Sequence, residues 1–289
     1  MFSQVTPVDQ YLALLFINLF TIIFSLSLAF LVYRRSKKFN VWNAGTKSLV
    51  AMMLALPFLP LTGIVNAIDT LIGSGEFLNP NGGFWTFSIS SARRPPLVRF
   101  IGSNFTIIGL TVFIVFYVFY VKETTNLSEF VWKVYNFTVI IMVGLCLMSL
   151  VFNLGDFVSQ LSSRSNINFF ALAVVALLIL ISSMAFSVID LHRISSKLLQ
   201  VRLTMSTLAG CFYICVMLFL ALGLIIPSIS STSDLLVNSL YALRILSIIP
   251  LTLFLGWSYF VPLKVQEWTG ILPPSFKVLV EKEKIIKEL

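Results

Sequence analysis

The stretch from Asn168 to Ile189 reads NFFALAVVALLILISSMAFSVI and contains no charged residue. A helix needs about twenty mostly apolar residues to cross roughly 30 Å of hydrocarbon, so this stretch predicts a transmembrane helix. Its residues are continuously apolar and do not alternate with polar ones, as the strands of a membrane barrel would. The stretch therefore favours a helix, which satisfies its own backbone hydrogen bonds within the bilayer.

Six further stretches have the same character, and the composition agrees with them. Apolar residues make up 58% of the chain and charged residues 11%, whereas soluble domains are nearer half apolar and a quarter charged. We expect an all-α membrane protein, a bundle of about seven transmembrane helices over residues 1–262, followed by a cytoplasmic tail over 263–289. The other six spans are predicted at Tyr11–Tyr33, Ser48–Ile72, Phe100–Val121, Trp132–Leu154, Leu203–Ile229 and Leu240–Val261.

Basic residues are shared unequally between the two ends of these helices. With Arg244 left aside as intramembrane, fifteen Lys and Arg fall on the side that includes Arg34 and Lys264, and four fall on the other. Loops rich in Lys and Arg stay in the cytoplasm, so we predict the N-terminus outside and the C-terminus in the cytoplasm. The net charge of +8 is then a topology signal, and no nucleic-acid partner is expected.

The predicted tail combines charged residues with an apolar stripe. Beyond Pro274, a short helix would bring near one face the residues Phe276, Leu279, Val280, Ile286 and Leu289. Such a helix lies on the membrane, pairs with a partner helix or ends free in solvent. The partners expected are the lipid bilayer, a cytoplasmic effector reached through the tail, and an oligomer or larger membrane complex, with the cell membrane as the location.

Arg244 is the one charged residue predicted deep within a span. A guanidinium about a turn and a half into the last helix costs several kcal/mol unless it is paired or reaches the membrane surface. Three carboxylates at the exterior ends of other spans are candidate partners: Asp69, Asp156 and Asp234. An ion pair of this kind would fix the seventh helix to a neighbour.

The same end of the bundle holds asparagines at a similar depth, namely Asn66, Asn104 and Asn153. Together with the carboxylates they suggest a polar exterior pocket for a small polar or anionic ligand. The ligand-binding residues predicted for it are Arg244, Asp69, Asp156, Asn66 and Asn104. A purely structural ion pair is the alternative interpretation of the same residues.

Residues that carry catalysis are scarce. The only histidine, His192, follows the fifth span at its cytoplasmic end. Haem ligation and histidine metal sites need such residues inside the bundle, so no metal, cofactor or catalytic residue is expected, and the chain is not predicted to be an enzyme. A retinal Schiff base needs a lysine within the last helix, and the first lysine after Leu240 is Lys264.

Prolines interrupt two of the predicted spans. Pro57 and Pro60 remove two backbone donors from the second span, and Pro250 removes one from the seventh. We expect these helices to bend, because proline also displaces the carbonyl of the preceding turn. Bends of this kind serve as hinges or as static features of packing.

The seventh span carries a resemblance to a known class of proteins. The residues Leu243-Arg244-Ile-Leu, then Gly256-Trp-Ser-Tyr-Phe-Val-Pro262 and a basic tail, resemble the end of seven-helix sensor regions that precede histidine kinases in some archaea. In that family the bundle senses a stimulus and passes a shift down the last helix to a cytoplasmic kinase. Since this sequence stops at Leu289, the resemblance implies an output through a separate partner.

Three functions follow as hypotheses. A receptor-like sensor would pass a signal from an exterior or intramembrane site to a cytoplasmic partner. A non-catalytic structural or accessory subunit of a larger membrane complex is the alternative. A transporter is less favoured, because coupling carboxylates near the midplane are not seen and the Pro57–Gly63 break is the one feature that suits it.

Overall fold

The computed structural model describes residues 7–61, 63–64, 96–125, 128–159, 165–191, 193–229 and 234–261. The predicted exterior connection after Gly73, the residue His192 and the tail 263–289 lie outside these ranges. Within them the regular structure is entirely α-helical. The helices are α1 (Pro7–Lys38), α2 (Ala44–Ala55), α3 (Pro96–Thr124), α4 (Glu129–Ser159), α5 (Ser165–Leu191), α6 (Lys197–Ile229) and α7 (Asp234–Phe260).

Seven helical segments of the described chain are long and apolar enough to cross a membrane, which confirms the predicted fold class. An 18-residue stretch within Ala171–Leu191 of α5 has a mean hydropathy of 2.7, and one within Ser239–Phe260 of α7 has 1.7. The lower value in α7 reflects the polar residues that it brings into the bundle. The orientation of the bundle in the bilayer stays a prediction.

The second span begins earlier than predicted and is then interrupted. Asn43 caps α2, because its Oδ1 accepts a hydrogen bond from the amide of Thr46 at 2.9 Å, and the helix therefore starts at Ala44 and not at Ser48. A turn at Leu56 and Pro57 ends it. Residues 58–61 and 63–64 then return to helical geometry, so the predicted disturbance of this span is confirmed.

The helices form a closed ring in chain order. Each packs against its neighbours in sequence, α1 packs against α7, and α3 also contacts α5 across the ring. Where the connection is short, as between α1 and α2 or between α3 and α4, the neighbouring helices are antiparallel. The outer face of α4 shows what surrounds the ring, since Phe130 is 76% exposed and Ile140 is 67% exposed. Large apolar side chains exposed along a whole helix suit lipid and not water.

The centre of the bundle is aromatic. The ring of Phe113 in α3 stacks on that of Tyr213 in α6, with centroids 3.9 Å apart and ring planes 3° from parallel. The Tyr213 hydroxyl lies 3.5 Å from the carbonyl oxygen of Leu110, and the Tyr117 hydroxyl donates to the carbonyl of Ser206 at 3.3 Å. The hydroxyls of Tyr213 and Tyr117 are thus each matched to a carbonyl of the facing helix, which joins α3 to α6.

Candidate functional site

Arg244 lies inside the bundle, as the sequence predicts. Its side chain is 2% exposed, and it is the largest fully buried side chain among the described residues. It lies ten residues after Asp234, the first residue of α7, which corresponds to about 15 Å of helix. A guanidinium at this depth needs polar partners within the protein, because lipid offers none.

One such partner is a backbone carbonyl in the interrupted second span. The Nη2 of Arg244 donates a hydrogen bond to the carbonyl oxygen of Leu59 at 3.4 Å. The guanidinium carbon also lies 5.0 Å from the centre of the Tyr241 ring, within the range of a cation–π contact. The arginine therefore connects α7 to the segment of chain between two prolines.

That segment is irregular for a defined reason. Pro57 and Pro60 have no amide hydrogen, so the carbonyls that they would serve in a regular helix lose those donors. The amide of Leu59 turns to the carbonyl of Leu56 at 3.1 Å, a bond across three residues in place of four. Irregular backbone is tolerated at membrane depth where protein groups satisfy it, and Arg244 supplies a donor there.

A second contact joins α7 to α1 beside the arginine. Tyr241, one turn before Arg244, donates its hydroxyl hydrogen to Oδ1 of Asn18 at 2.9 Å, and both side chains are buried. Gly63 lies against the same pair. A Cβ atom at Gly63 would overlap the Tyr241 hydroxyl and would lie 2.8 Å from Nδ2 of Asn18. Helices α1 and α7 and the broken second span therefore meet at a glycine that has no room for a side chain.

We name this meeting point the three-helix cluster, defined by Asn18, Leu59, Gly63, Tyr241 and Arg244. Sequence reasoning identified one of its five members. A lone asparagine in the apolar run around Asn18 was an available signal for a second. The Leu59 carbonyl, which accepts from Arg244, has no signal in the sequence. Every residue type carries a backbone carbonyl, and only the packing decides which one an arginine reaches.

The other predicted ligand residues have different outcomes. Asn66 and Asp69 lie outside the described residues, and the side chain of Asp156 is also outside them, so their pairing with Arg244 stays a prediction. Asn104 is described, and its Oδ1 accepts a hydrogen bond from Nδ2 of Asn153 at 2.9 Å. This pair links α3 to α4, whereas Arg244 contacts the second span. The structure thus places Asn104 and Arg244 in separate contacts between helices.

The three-helix cluster offers hydrogen-bond donors and an aromatic face. A guanidinium and a phenol beside an amide can bind a carboxylate, a phosphate or a carbonyl oxygen. In the ranges where side chains are described, no group of three or more His, Cys, Asp or Glu could hold a metal ion. The arrangement is therefore suited to binding an anionic or carbonyl-bearing group.

Seven helices that could each cross a membrane, all within the described part of the chain, make this a multi-pass membrane protein. No protein-family model, curated protein or solved structure matches the chain.

Proposed function

We propose that the protein is a receptor-like sensor of the cell membrane, in which the three-helix cluster receives the stimulus and α7 passes it to a cytoplasmic partner. The observation that carries this proposal is the hydrogen bond between Arg244 and the Leu59 carbonyl. It joins the last helix to the second span, whose backbone is interrupted within the described residues. Such a joint can adopt two arrangements, which a sensor requires.

The proposed mechanism is a competition for the arginine. A ligand carboxylate or phosphate binds a guanidinium more strongly than a neutral carbonyl does, because both partners are then charged. A ligand that takes Arg244 from Leu59 would release α7 from the second span. It would shift the equilibrium by its difference in affinity for the two arrangements.

The shift has a direct route to the other end of the bundle. Helix α7 is continuous from Asp234 to Phe260, through Pro250. The ring of Phe260 lies 5.0 Å from the guanidinium carbon of Arg35, in the basic last turn of α1. With the predicted orientation, a movement of α7 reaches the cytoplasmic surface, where an effector would bind.

Hydrogen exchange on the purified chain in lipid nanodiscs tests this proposal. Acetate, glutamate, inorganic phosphate and sulfate are first screened for stabilisation against heat. A ligand that stabilises the protein should change the exchange of residues 56–64 and also of residues 251–261, since both ends of the mechanism respond. Arg244→Leu should abolish both changes, and the exposed control Arg193→Leu should keep them.

Two results would contradict the proposal. If a ligand changes the hydrogen exchange of residues 56–64 and leaves that of residues 251–261 unchanged, the cluster binds the ligand without passing a signal along α7. If the chain purifies only with fixed stoichiometric partners and binds no ligand in their presence, the accessory-subunit hypothesis is the better one.

A transporter is the second candidate, and the break at Pro57 and Pro60 is what favours it. Discontinuous helices supply binding sites in many transporters, because their freed backbone groups contact the substrate. Uptake of a stabilising anion into proteoliposomes separates the two functions. A sensor binds the anion without accumulating it inside the vesicle, and a transporter accumulates it in proportion to time.

A further inference from the structure

Five cations surround the connection between α1 and α2, and we call this surface the basic corner: Arg34, Arg35, Lys37, Lys38 and Lys47. All five are exposed, and residues 33–61 contain no Asp or Glu. Among the side chains that the structure describes, none of the five forms an ion pair. One acid lies close to the start of α2: the Cβ of Glu123 would be 3.5 Å from a Cβ placed on Gly45. It offsets at most one of the five charges.

Two aromatic rings lie close to one of these cations, Lys37. The Nζ of Lys37 lies 5.9 Å from the centre of the Tyr33 ring and 5.7 Å from that of Trp42. The two rings meet edge to face, with centroids 5.1 Å apart. A lysine side chain in such a setting has lost part of its rotational freedom before any ligand arrives, which lowers the entropic cost of binding.

Two neighbouring cations also lie against aromatic rings. The guanidinium carbon of Arg35 lies 5.7 Å from the centre of the Phe39 ring and 5.0 Å from that of Phe260. The Nζ of Lys38 lies 5.9 Å from the Phe39 ring. Three of the five cations are therefore positioned by rings, and the ring of Phe260 adds a contribution from α7.

The backbone of the corner is also well defined. Asn40 has a φ of 54°, in the left-handed region that asparagine tolerates better than most residues. Its amide donates to the carbonyl of Lys37 at 3.3 Å, and the amide of Val41 donates to that of Ser36 at 3.0 Å. This pair of bonds is a Schellman motif, which ends α1 and fixes the direction of the connection.

Apolar side chains accompany the charges at this corner. Phe39 is 59% exposed and Val41 is 45% exposed, on the five-residue connection itself. Exposed cations beside exposed apolar groups, at the end of a membrane-spanning helix, match the boundary between lipid headgroups and acyl chains. An acidic protein or a nucleic acid would satisfy the charges and leave Phe39 and Val41 in water.

From this charge and shape we infer that the basic corner binds the headgroup of an anionic phospholipid in the adjacent leaflet. The lipid phosphate would accept hydrogen bonds from the guanidinium and ammonium groups, while Phe39 and Val41 contact its upper acyl chain. The basic corner is distinct from the three-helix cluster. Phe260, which contacts Arg35 in the corner, lies sixteen positions after Arg244 in α7, about 24 Å along the helix.

Thermal unfolding of the purified full chain in neutral detergent tests the inference. Phosphatidylglycerol should raise the unfolding temperature, and phosphatidylcholine with the same acyl chains should not. Inorganic phosphate at the same concentration should also have no effect, since it lacks the acyl chain. Each cation near a membrane surface contributes about 1 kcal/mol, so Lys37→Gln with Lys38→Gln should weaken binding of phosphatidylglycerol by roughly 25-fold.

The matched control removes the same charge from a different connection at the same end of the bundle. Arg193→Gln with Lys197→Gln, both exposed, should bind phosphatidylglycerol as the unchanged chain does. Equal weakening in both double variants would overturn the inference in favour of a general charge effect. Equal stabilisation by phosphatidylcholine, or by phosphate alone, would overturn it as well. If the Lys37 and Lys38 variant does not fold, Arg34→Gln replaces it, because Arg34 contacts no ring among the described residues, and roughly fivefold weakening is expected.

Discussion

The Tyr241 hydroxyl donates a hydrogen bond to Oδ1 of Asn18 across 2.9 Å, and this bond joins the last span to the first. Hydrogen bonds between helices in a bilayer contribute about 0.5–2 kcal/mol each. Tyr241→Phe removes the donor and keeps the ring against Arg244. We expect a loss of about 1 kcal/mol of stability, measured by thermal unfolding in detergent. Tyr33→Phe, which removes an exposed hydroxyl, serves as the control and should leave stability unchanged.

The contact at Gly63 predicts that replacing this glycine by alanine lowers the stability of the protein. Replacing a helical glycine by alanine normally stabilises a helix by about 1 kcal/mol. At Gly63 the added methyl would overlap the Tyr241 hydroxyl, so Gly63→Ala should instead destabilise the protein by about 1–3 kcal/mol. Unfolding measurements on Gly144→Ala provide the control, because nothing lies within 4 Å of a Cβ there.

The combination of Gly63→Ala with Tyr241→Phe tests the cause of that loss. Removing the hydroxyl makes room for the new methyl. The double variant should therefore lose less stability than the two single variants lose when their losses are added. Strictly additive losses would show that the overlap is relieved in some other way.

Removal of the buried cation should be costly. Arg244→Ala deletes the donor to Leu59 and the contact with the Tyr241 ring, and it leaves a cavity at a fully buried position. We expect a loss of about 2–4 kcal/mol in detergent unfolding. Arg193→Ala, at an exposed site, should stay within about 0.5 kcal/mol of the unchanged chain. Equal stability of the two variants would contradict a clamping role for Arg244.

The aromatic centre of the bundle allows ring and hydroxyl to be separated. Tyr213→Phe keeps the stack on Phe113 and gives up a long contact of 3.5 Å to Leu110, so stability should fall by less than about 0.5 kcal/mol. Tyr213→Ala removes the ring and should cost about 3–5 kcal/mol. Denaturation of both variants in the same detergent measures the difference. Similar losses would mean that the hydroxyl, and not the stack, joins α3 to α6.

The orientation can be tested with reporter fusions. An enzyme that is active only in the cytoplasm should give signal when it is fused after Lys38, Leu127 or Leu289, and none when it is inserted within residues 82–91. The basis is the fifteen-to-four distribution of Lys and Arg between the two ends of the helices. Signal from the insertion within 82–91 would reverse the topology.

The fold was largely accessible from the sequence because a bilayer restricts the choices. Backbone amides and carbonyls in hydrocarbon must be satisfied within the protein, so a long apolar run without the alternation of a barrel strand, such as Ala171–Leu191, is expected to be a helix. The ends of the helices were less accessible. The cap at Asn43 starts α2 four residues before the predicted Ser48, because a side-chain hydrogen bond and not hydropathy sets that boundary.

The candidate site was accessible only in part. Arg244 stood out because a charge within a span is rare and costly, and its burial is confirmed. Its contact with Leu59 was not predictable, since a backbone carbonyl has no signature in the sequence. Asn104 was grouped with Arg244 on depth alone, and depth does not reveal which helices face each other around the ring. The structure pairs Asn104 with Asn153, and a ligand site that Asn104 shares with Arg244 stays a prediction.

The closure of the ring by α1 and α7 also sets an order of events during synthesis. Asn18 and Ser25, both buried in the finished bundle, contact Tyr241 and Thr252, which lie 223 and 227 residues further along the chain. A ribosome adds about 5–20 residues per second, so the first helix waits roughly 10–45 s for these partners. During that interval the hydrogen-bond partners that α7 supplies to this asparagine and this serine are absent, so the polar stripe of α1 is completed only when the last helix is made.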